Sequence, residues 1–290
     1  MKREQSTAQV RWDLALRYRL IETVAWWEGR LTTQHLMQSF GISRQQASKD
    51  INAYIAEHAP ENLTYDRQLK GYVPSAQFQP RFIDDSADAY LHLLNQNHDR
   101  APHVEGLALA YAHTEVLRVP DRTVRAEVLR PLLKACREGL RLEIGYVSLA
   151  NPQPEGRLIA PHTLVYTGMR WHVRAYCEKN RAYRDFVLSR LRGVPELLEA
   201  SAHGRAQDEG WNAEVTLRIE PDPRLSAEQR AIIETDYGMR AGHLAVASRG
   251  ALVQYVLQRF QIDTTKIEPK AAAQQIVVAN LEELERWLYR

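Results

Sequence analysis

The run 163-TLVYTGMRWHVRAYCEKNRAYRDFVLSRL-191 decides how the rest of the chain is read. Two alternating runs flank Gly168-Met169, which predicts a β-hairpin with its turn at those residues. In the second run Trp171, Val173 and Ala175 share one face, expected to be core. Arg170, His172, Arg174 and Tyr176 share the other. Tyr183–Leu191 follows as the last expected strand. Arg170, Arg174, Arg181, Arg184, Arg190 and His172, with His162 just upstream, place cations on a hydrophobic framework, the pattern of a pocket for an anionic ligand.

Ahead of this run, Ala126–Glu138 is predicted helical, with Pro131 near its first turn or at a kink and Gly139 closing it. Residues 141–148 (RLEIGYVS) alternate, with Leu142, Ile144 and Tyr146 on one face. Residues 157–167 (RLIAPHTLVYT) read as a strand broken at Pro161. One helix and several short antiparallel strands predict a small, strongly bent sheet or barrel.

Charge is uneven along the 290 residues. The formal net charge is +2 over residues 1–80, −3 over 81–119, +5 over 120–200 and −2 over 201–290. Positive charge therefore gathers in the first eighty residues and around the run above. No apolar stretch approaches the ~18–20 residues of a membrane span, and MKREQSTAQV lacks a signal-peptide core, so a cytoplasmic location without membrane contact is expected. Cys136 and Cys177 are the only cysteines, too few for a disulfide scaffold or a cysteine zinc site.

Residues 1–80 read as a winged helix-turn-helix. Asp13–Trp27 is helical, with Leu16, Leu20, Val24 and Trp27 on one face, and Gly29 ends it. Thr32 or Thr33 caps a short helix, QHLMQSF, whose Leu36 and Phe40 point inward. Gly41 makes the left-handed turn, and Ser43-x-x-Gln46 is a capping box for a third helix buried through Ala47, Ile51 and Tyr54. A recognition helix presents its N-terminal residues to base edges, which selects Ser43, Arg44, Gln45, Gln46, Ser48 and Lys49 as DNA contacts. The pair of β-rich runs in LTYDRQLKGYV is a wing, with Arg67 and Lys70 at its tip for phosphate or the minor groove. The bland alternative is a small helical domain used for protein contacts.

Residues 81–124 form a connector. A helix is predicted in FIDDSADAYLHLLNQ, capped around Asp84–Ser86, with Ala87, Leu91 and Leu94 on one side. A loop at 98–106 and an apolar stretch at 107–117 follow. Residues 201–210 (SAHGRAQDEG) read as a linker. The remainder alternates strands (AEVTLRI, HLAVAS, QQIVVA) with helices capped at Ser226-x-x-Gln229 and Asn280-x-x-Glu283, and a helix in ALVQYVLQRF carrying Leu252, Tyr255, Val256 and Arg259.

The order of a helix, a strand ending in Tyr146, Pro161-His162, Arg170–Tyr176 and Arg184–Arg190 resembles a WYL domain. The name-giving Trp-Tyr-Leu triplet stands here as Trp171-His172-Val173, so its middle position departs from the pattern. The head, through FGISRQQASKDINAY and LTYDRQLKGYV, is similar to that of the winged-helix WYL regulators found with the phage-defence systems BREX and CBASS. The resemblance runs through nearly the whole chain. It implies an α+β multidomain protein: a winged helix-turn-helix at 1–80, a helical connector at 81–124, a WYL domain with an Sm-like small β-barrel at 125–200, and a C-terminal α+β dimerisation domain at 201–290. It also implies a nucleotide or nucleic-acid effector, with Tyr146, Ser148, His162, Arg174, Arg184 and Arg190 as ligand contacts by position.

The expectation is a homodimeric repressor that reads an inverted repeat in operator DNA and answers to an anionic effector. No H-E-x-x-H, P-loop or G-x-S-x-G occurs, and Asp84-Asp85 and Glu282-Glu283 sit at helix starts where capping explains them. No enzyme activity, cofactor or metal is therefore expected. The alternatives are a redox or other small-molecule sensor using Cys136 and Cys177, and a nucleic-acid-binding adaptor with no promoter role.

Overall fold

The structure, a computed structural model, describes residues 11–99, 115–117, 119, 122–266 and 268–288. The chain divides into two compact units, Met1–Arg118 and Val119–Arg290.

In the first unit α1 (Trp12–Glu28) buries Leu20 and Val24 of the predicted stripe, while Leu16 and Trp27 are only partly covered. Tyr18, Ile21 and Ala25 are buried too, because the helix is packed from more than one side. Gly29, at φ 75°, ends it in the left-handed conformation. Thr32 caps α2 (Thr33–Phe40), and Gly41, at φ 62°, separates it from α3 (Arg44–Ala53). Ser43 Oγ accepts from the Gln46 amide at 3.2 Å. The other half of the predicted capping box is absent, because Gln46 Nε2 donates instead to Asp50 Oδ1 at 2.7 Å. Asp50 is buried and pairs with Arg17 at 2.8 Å, so Gln46 helps anchor α3 to α1. Strands β1 (Leu63–Asp66) and β2 (Gly71–Pro74) pair antiparallel as the wing. Leu31 and Tyr72 exchange backbone hydrogen bonds of 2.8 Å, which ties the α1–α2 turn to the wing.

Glu22 is fully buried in the middle of α1, which the hydrophobic pattern did not anticipate. Its carboxylate accepts from Tyr54 Oη at 2.8 Å and from the amides of Arg81, Phe82 and Ile83 at 2.7–3.1 Å. It is the acceptor that closes the chain after the wing back onto α1. Glu22→Ala strands these donors, and an unsatisfied buried donor costs ~1–3 kcal/mol. The variant is expected to unfold its head at clearly lower urea, with faster amide exchange at residues 81–83.

Helix α4 (Ala87–Asp99) is rotated from its predicted phase. Leu94 is buried, but Ala87 and Leu91 are exposed, because Tyr90 stacks on Trp27 (centroids 5.2 Å, 10°) and sets the rotation. The helix extends into the first residues of the loop expected at 98–106; the rest of that loop and most of the 107–117 stretch lie outside the described residues.

The second unit opens with α5 (Ala126–Glu138), which carries Pro131 in its interior rather than in its first turn. Gly139 closes it at φ 68°. An antiparallel sheet follows in the order β6-β5-β4-β3-β7, formed by β3 (Leu140–Tyr146), β4 (Glu155–Tyr166), β5 (Trp171–Cys177), β6 (Ala182–Val187) and β7 (Leu191–Ala200). Strand β4 is continuous through Pro161, and the expected break is a bulge: Pro161 pairs with Ala175 and Thr163 with Arg174, leaving His162 as the extra residue. Tyr183–Leu191 is not the last strand. It turns at Leu188–Arg190, and β7 returns to pair with β3. Gly193 and Pro195 hide β7 in the sequence, but proline is tolerated on an edge strand.

The two edge strands are thus joined by only three residues. A flat five-stranded sheet would separate its edges by about 19 Å, whereas four Cα steps span at most about 15 Å. The sheet must curl, and its concave side holds Leu142, Ile144, Val173, Ala175 and Phe186 with Val128 and Leu132 of α5. A third core, around Leu217, Ile219, Val253, Leu257 and Ile276, belongs to the sheet β10-β8-β9. That sheet comprises β8 (Glu214–Pro221), β9 (Leu244–Arg249) and β10 (Ile276–Val278). The Ser226/Gln229 capping box forms on α7 (Ala227–Asp236), which follows the short α6 (Glu209–Asn212). The last named helices are α8 (Val253–Arg259), α9 (Ala271–Gln274) and α10 (Leu281–Leu284). Asn280 does not cap α10, because its amide is spent on the β8 backbone at Thr216 and Arg218.

Candidate functional site

On the first unit, Ser43, Arg44, Gln45 and Lys49 are exposed at the start of α3, whereas Gln46 and Ser48 are half-buried. Arg67 and Lys70 are exposed on the wing tip, which Asp66 orders by accepting from the amides of Gln68 and Leu69 at 2.7 and 2.8 Å. Arg44 and Lys70 also border a groove of about 1010 Å³ along α2, together with Arg30, Thr33, Gln34 and Gln38. Arg30 was not singled out from sequence. It lies across Gly71, where an added Cβ would meet its side chain at 3.0 Å. A lone arginine in an interhelical turn gave no signal; only the Leu31–Tyr72 pairing brings it to the wing.

On the second unit, Tyr146, Arg174, Arg184 and Arg190 line one cavity of about 550 Å³, together with Arg170, His172, Asp185 and Tyr255. Ser148 and His162 lie outside it. Ser148 closes the turn after β3 by accepting from Asn151 N at 3.0 Å. His162, displaced by the bulge, bonds Asp208 at 3.1 Å and Thr163 at 2.8 Å. Tyr146 holds the cavity wall: its ring meets the edge of Phe186, and its hydroxyl accepts from the Val187 amide at 3.2 Å.

The four arginines differ in electrostatic state. Arg174 is buried and committed, donating to Asp208 through Nε at 2.7 Å and Nη2 at 3.1 Å, and to Asp185 at 3.3 Å. Arg170, Arg184 and Arg190 have no carboxylate partner among the described residues. The charges of Arg170 and Arg190 are felt at His172. Burial pushes its imidazole pKa down to about 4, helped by the charges of Arg170 and Arg190 and opposed by Asp185.

The presumed linker is a docked strap. Asp208, almost fully buried, receives Arg174 and His162 and caps α6 through the Trp211 amide at 3.1 Å. Its carboxyl lies well below the usual range: burial alone would raise it, but the hydrogen bonds of His162 and Arg174 and the charge of Arg174 outweigh that. Tyr183 Oη donates to Gly204 O at 2.8 Å, and Tyr176 stacks on His203 (3.7 Å, 15°). From α8, Tyr255 donates to Asp185 Oδ2 at 3.0 Å and packs against His172 at 5.1 Å. Strand β5 is therefore covered on both faces. His172 is buried, while Trp171, expected in the core, is 49% exposed at the hairpin mouth beside Tyr166. Gly168 is needed twice over: its φ is 85°, and the Arg259 guanidinium occupies the place of a Cβ.

A winged helix ahead of a small bent barrel and an α+β extension defines the class of winged-helix WYL regulators. Residues 13–96 match the BrxR transcriptional regulator winged helix-turn-helix domain, 127–195 the WYL domain, and 214–284 the BrxR C-terminal dimerization domain. The chain is 33% identical over 283 residues to the DNA-binding transcriptional repressor CapW of Stenotrophomonas maltophilia, covering 97% of this chain and 94% of that protein. It is also 33% identical to CapW of Pseudomonas aeruginosa (95% and 92% covered) and of Escherichia coli strain KTE188 (94% and 91%). The chain belongs to the BrxR/CapW family of WYL-domain transcriptional regulators.

Proposed function

We propose that this chain is a homodimeric transcriptional repressor of a phage-defence operon, acting in the cytoplasm on an inverted repeat. On this reading an anionic nucleotide or nucleic-acid effector binds the β5–β6 cavity and shifts the dimer away from its DNA-competent arrangement. The observation that carries it is the set of guanidiniums, Arg170, Arg184 and Arg190, that have no carboxylate partner among the described residues and stand around one ligand-sized cavity. Guanidinium forks suit phosphate oxygens, and the half-buried Arg170 and Arg190 with the exposed Arg184 leave theirs open to a ligand. Arg174, already paired, is a positioning residue joining the cavity to the strap. The reading gives no residue a catalytic role.

The redox alternative is disfavoured by the thiols themselves. Burial pushes Cys136 up to about 11, away from the reactive thiolate, and Cys177 is buried with Sγ donating to Asn180 at 3.2 Å. The similar CapW proteins are DNA-binding transcriptional repressors, which supports the DNA-binding reading over an adaptor.

Footprinting on the DNA upstream of the chain's own operon tests the proposal. A protected inverted repeat is expected, and Arg44→Ala should weaken protection by about 1–3 kcal/mol if Arg44 reads a base edge. No protected repeat at low or physiological salt would remove the autoregulatory reading.

A further inference from the structure

The groove along α2 carries three cations, Arg30, Arg44 and Lys70, and no carboxylate among the described residues that line it. Arg44 opens the recognition helix and Lys70 stands on the wing tip, so Arg30 is the cation without a role. It is exposed and has no carboxylate partner among the described residues. Its stem is nonetheless held. The Leu31–Tyr72 bridge fixes the next residue to the wing, and a Cβ on Gly71 would meet Cγ and Nε of Arg30 at 3.0 Å. An arginine stem laid over a glycine in this way is pre-positioned, so less rotamer entropy is left to lose when the guanidinium meets an anion. The charge is also felt at the start of α2. Burial pushes the His35 imidazole down, the Thr32 backbone hydrogen bond opposes this, and the Arg30 charge adds to the lowering. A neutral ring is what lets His35 Nδ1 accept from the Thr32 amide at 3.0 Å.

We infer that Arg30 is a DNA-contacting residue whose guanidinium binds a backbone phosphate of the strand that follows the α2 groove. The inference rests on α3 and the wing being the DNA face. Three cations in a groove without an acid match a phosphate backbone, where each neutralised phosphate adds affinity whatever the sequence. Base edges are read by side chains that a recognition helix projects into the major groove. Arg30 instead stands in the α1–α2 turn with its stem against the wing, which places it for the backbone. The competing role is purely structural: Arg30 would only pack the turn on Gly71 and keep His35 neutral.

The test titrates the full chain against a duplex carrying the protected repeat and an unrelated duplex of equal length, over a series of salt concentrations. Arg30→Gln should weaken binding to both duplexes about tenfold at low salt, the usual size of one charge-assisted hydrogen bond. It should also make the log–log salt dependence shallower by about one, so the gap narrows about three- to fourfold between about 50 and 200 mM salt. Arg30→Lys, which keeps the charge, should retain the slope and most of the affinity, and thermal midpoints establish that both variants are folded. If Arg30→Gln leaves affinity and slope unchanged while Arg44→Ala weakens operator binding, the DNA face stands and the role of Arg30 falls. A loss confined to the operator, with the slope kept, would also overturn the phosphate contact. If neither Arg30→Gln nor Arg44→Ala alters binding, the reading of α3 and the wing falls with it.

Discussion

Arg190→Glu is expected to remove the response to effector while leaving operator affinity within about twofold of the unaltered chain. Arg190 has no carboxylate partner among the described residues, so reversing its charge breaks no ion pair among them. A ligand anion does lose one. A charge-assisted hydrogen bond contributes about 1.5–3 kcal/mol, and the new carboxylate repels the anion as well, so effector binding should fall at least a hundredfold. Arg184→Glu should act in the same direction but less strongly, because Arg184 is exposed and solvent screens it. A reporter fused to the operator, combined with an operator titration, separates the two effects. Loss of operator binding in a protein that stays folded would mean that these arginines serve DNA, not an effector.

The second large effect is on stability. Asp208 is the acceptor for Arg174, His162 and the Trp211 amide at the junction of the barrel and the strap. Removing one partner of a buried pair commonly costs about 3–5 kcal/mol, and here Arg174 would keep only its longer 3.3 Å contact to Asp185. Asp208→Ala should therefore lower the melting temperature of the second unit by roughly 10 °C, at about 2–4 °C per kcal/mol for a unit of this size. The pH dependence follows from the sign of the shift. The folded carboxyl is depressed, so its contribution is complete above the unfolded value near ~4 and is lost only as pH falls through the folded value. The stability difference between the unaltered chain and Asp208→Ala should be flat from pH 7 to pH 5 and shrink only in stronger acid. A difference that already declines near pH 6 would mean the carboxyl is not paired in this way.

Much of the architecture is legible from residues alone. Gly29, Gly41 and Gly139 end helices where predicted, and the third helix buries Ala47, Ile51 and Tyr54. The hairpin at Gly168-Met169 forms as expected, because its turn chemistry is local. What stayed hidden depends on contacts between distant segments. Nothing near Asp208 in the polar run SAHGRAQDEG signals that it is an ion-pair centre; its partners lie 34 and 46 positions away. Alternation correctly put His172 opposite Val173, but it cannot say that α8 will cover that face with Tyr255. The bulge at His162 carries no periodic signal, and one extra residue turns a ligand candidate into a structural contact. Arg170 lay in the quoted run, yet only the folded hairpin brings it to the same cavity as Arg184 and Arg190.

The central claim is that the Arg170, Arg184 and Arg190 guanidiniums of the barrel hold an anionic effector in a dimer. Native mass spectrometry of the protein purified from its host tests it most directly, with Arg190→Glu prepared in parallel. The account predicts a dimer carrying an added mass that fragments to a nucleotide or oligonucleotide, and an Arg190→Glu dimer without it. A dimer in which Arg190→Glu retains the same added mass in full would contradict it.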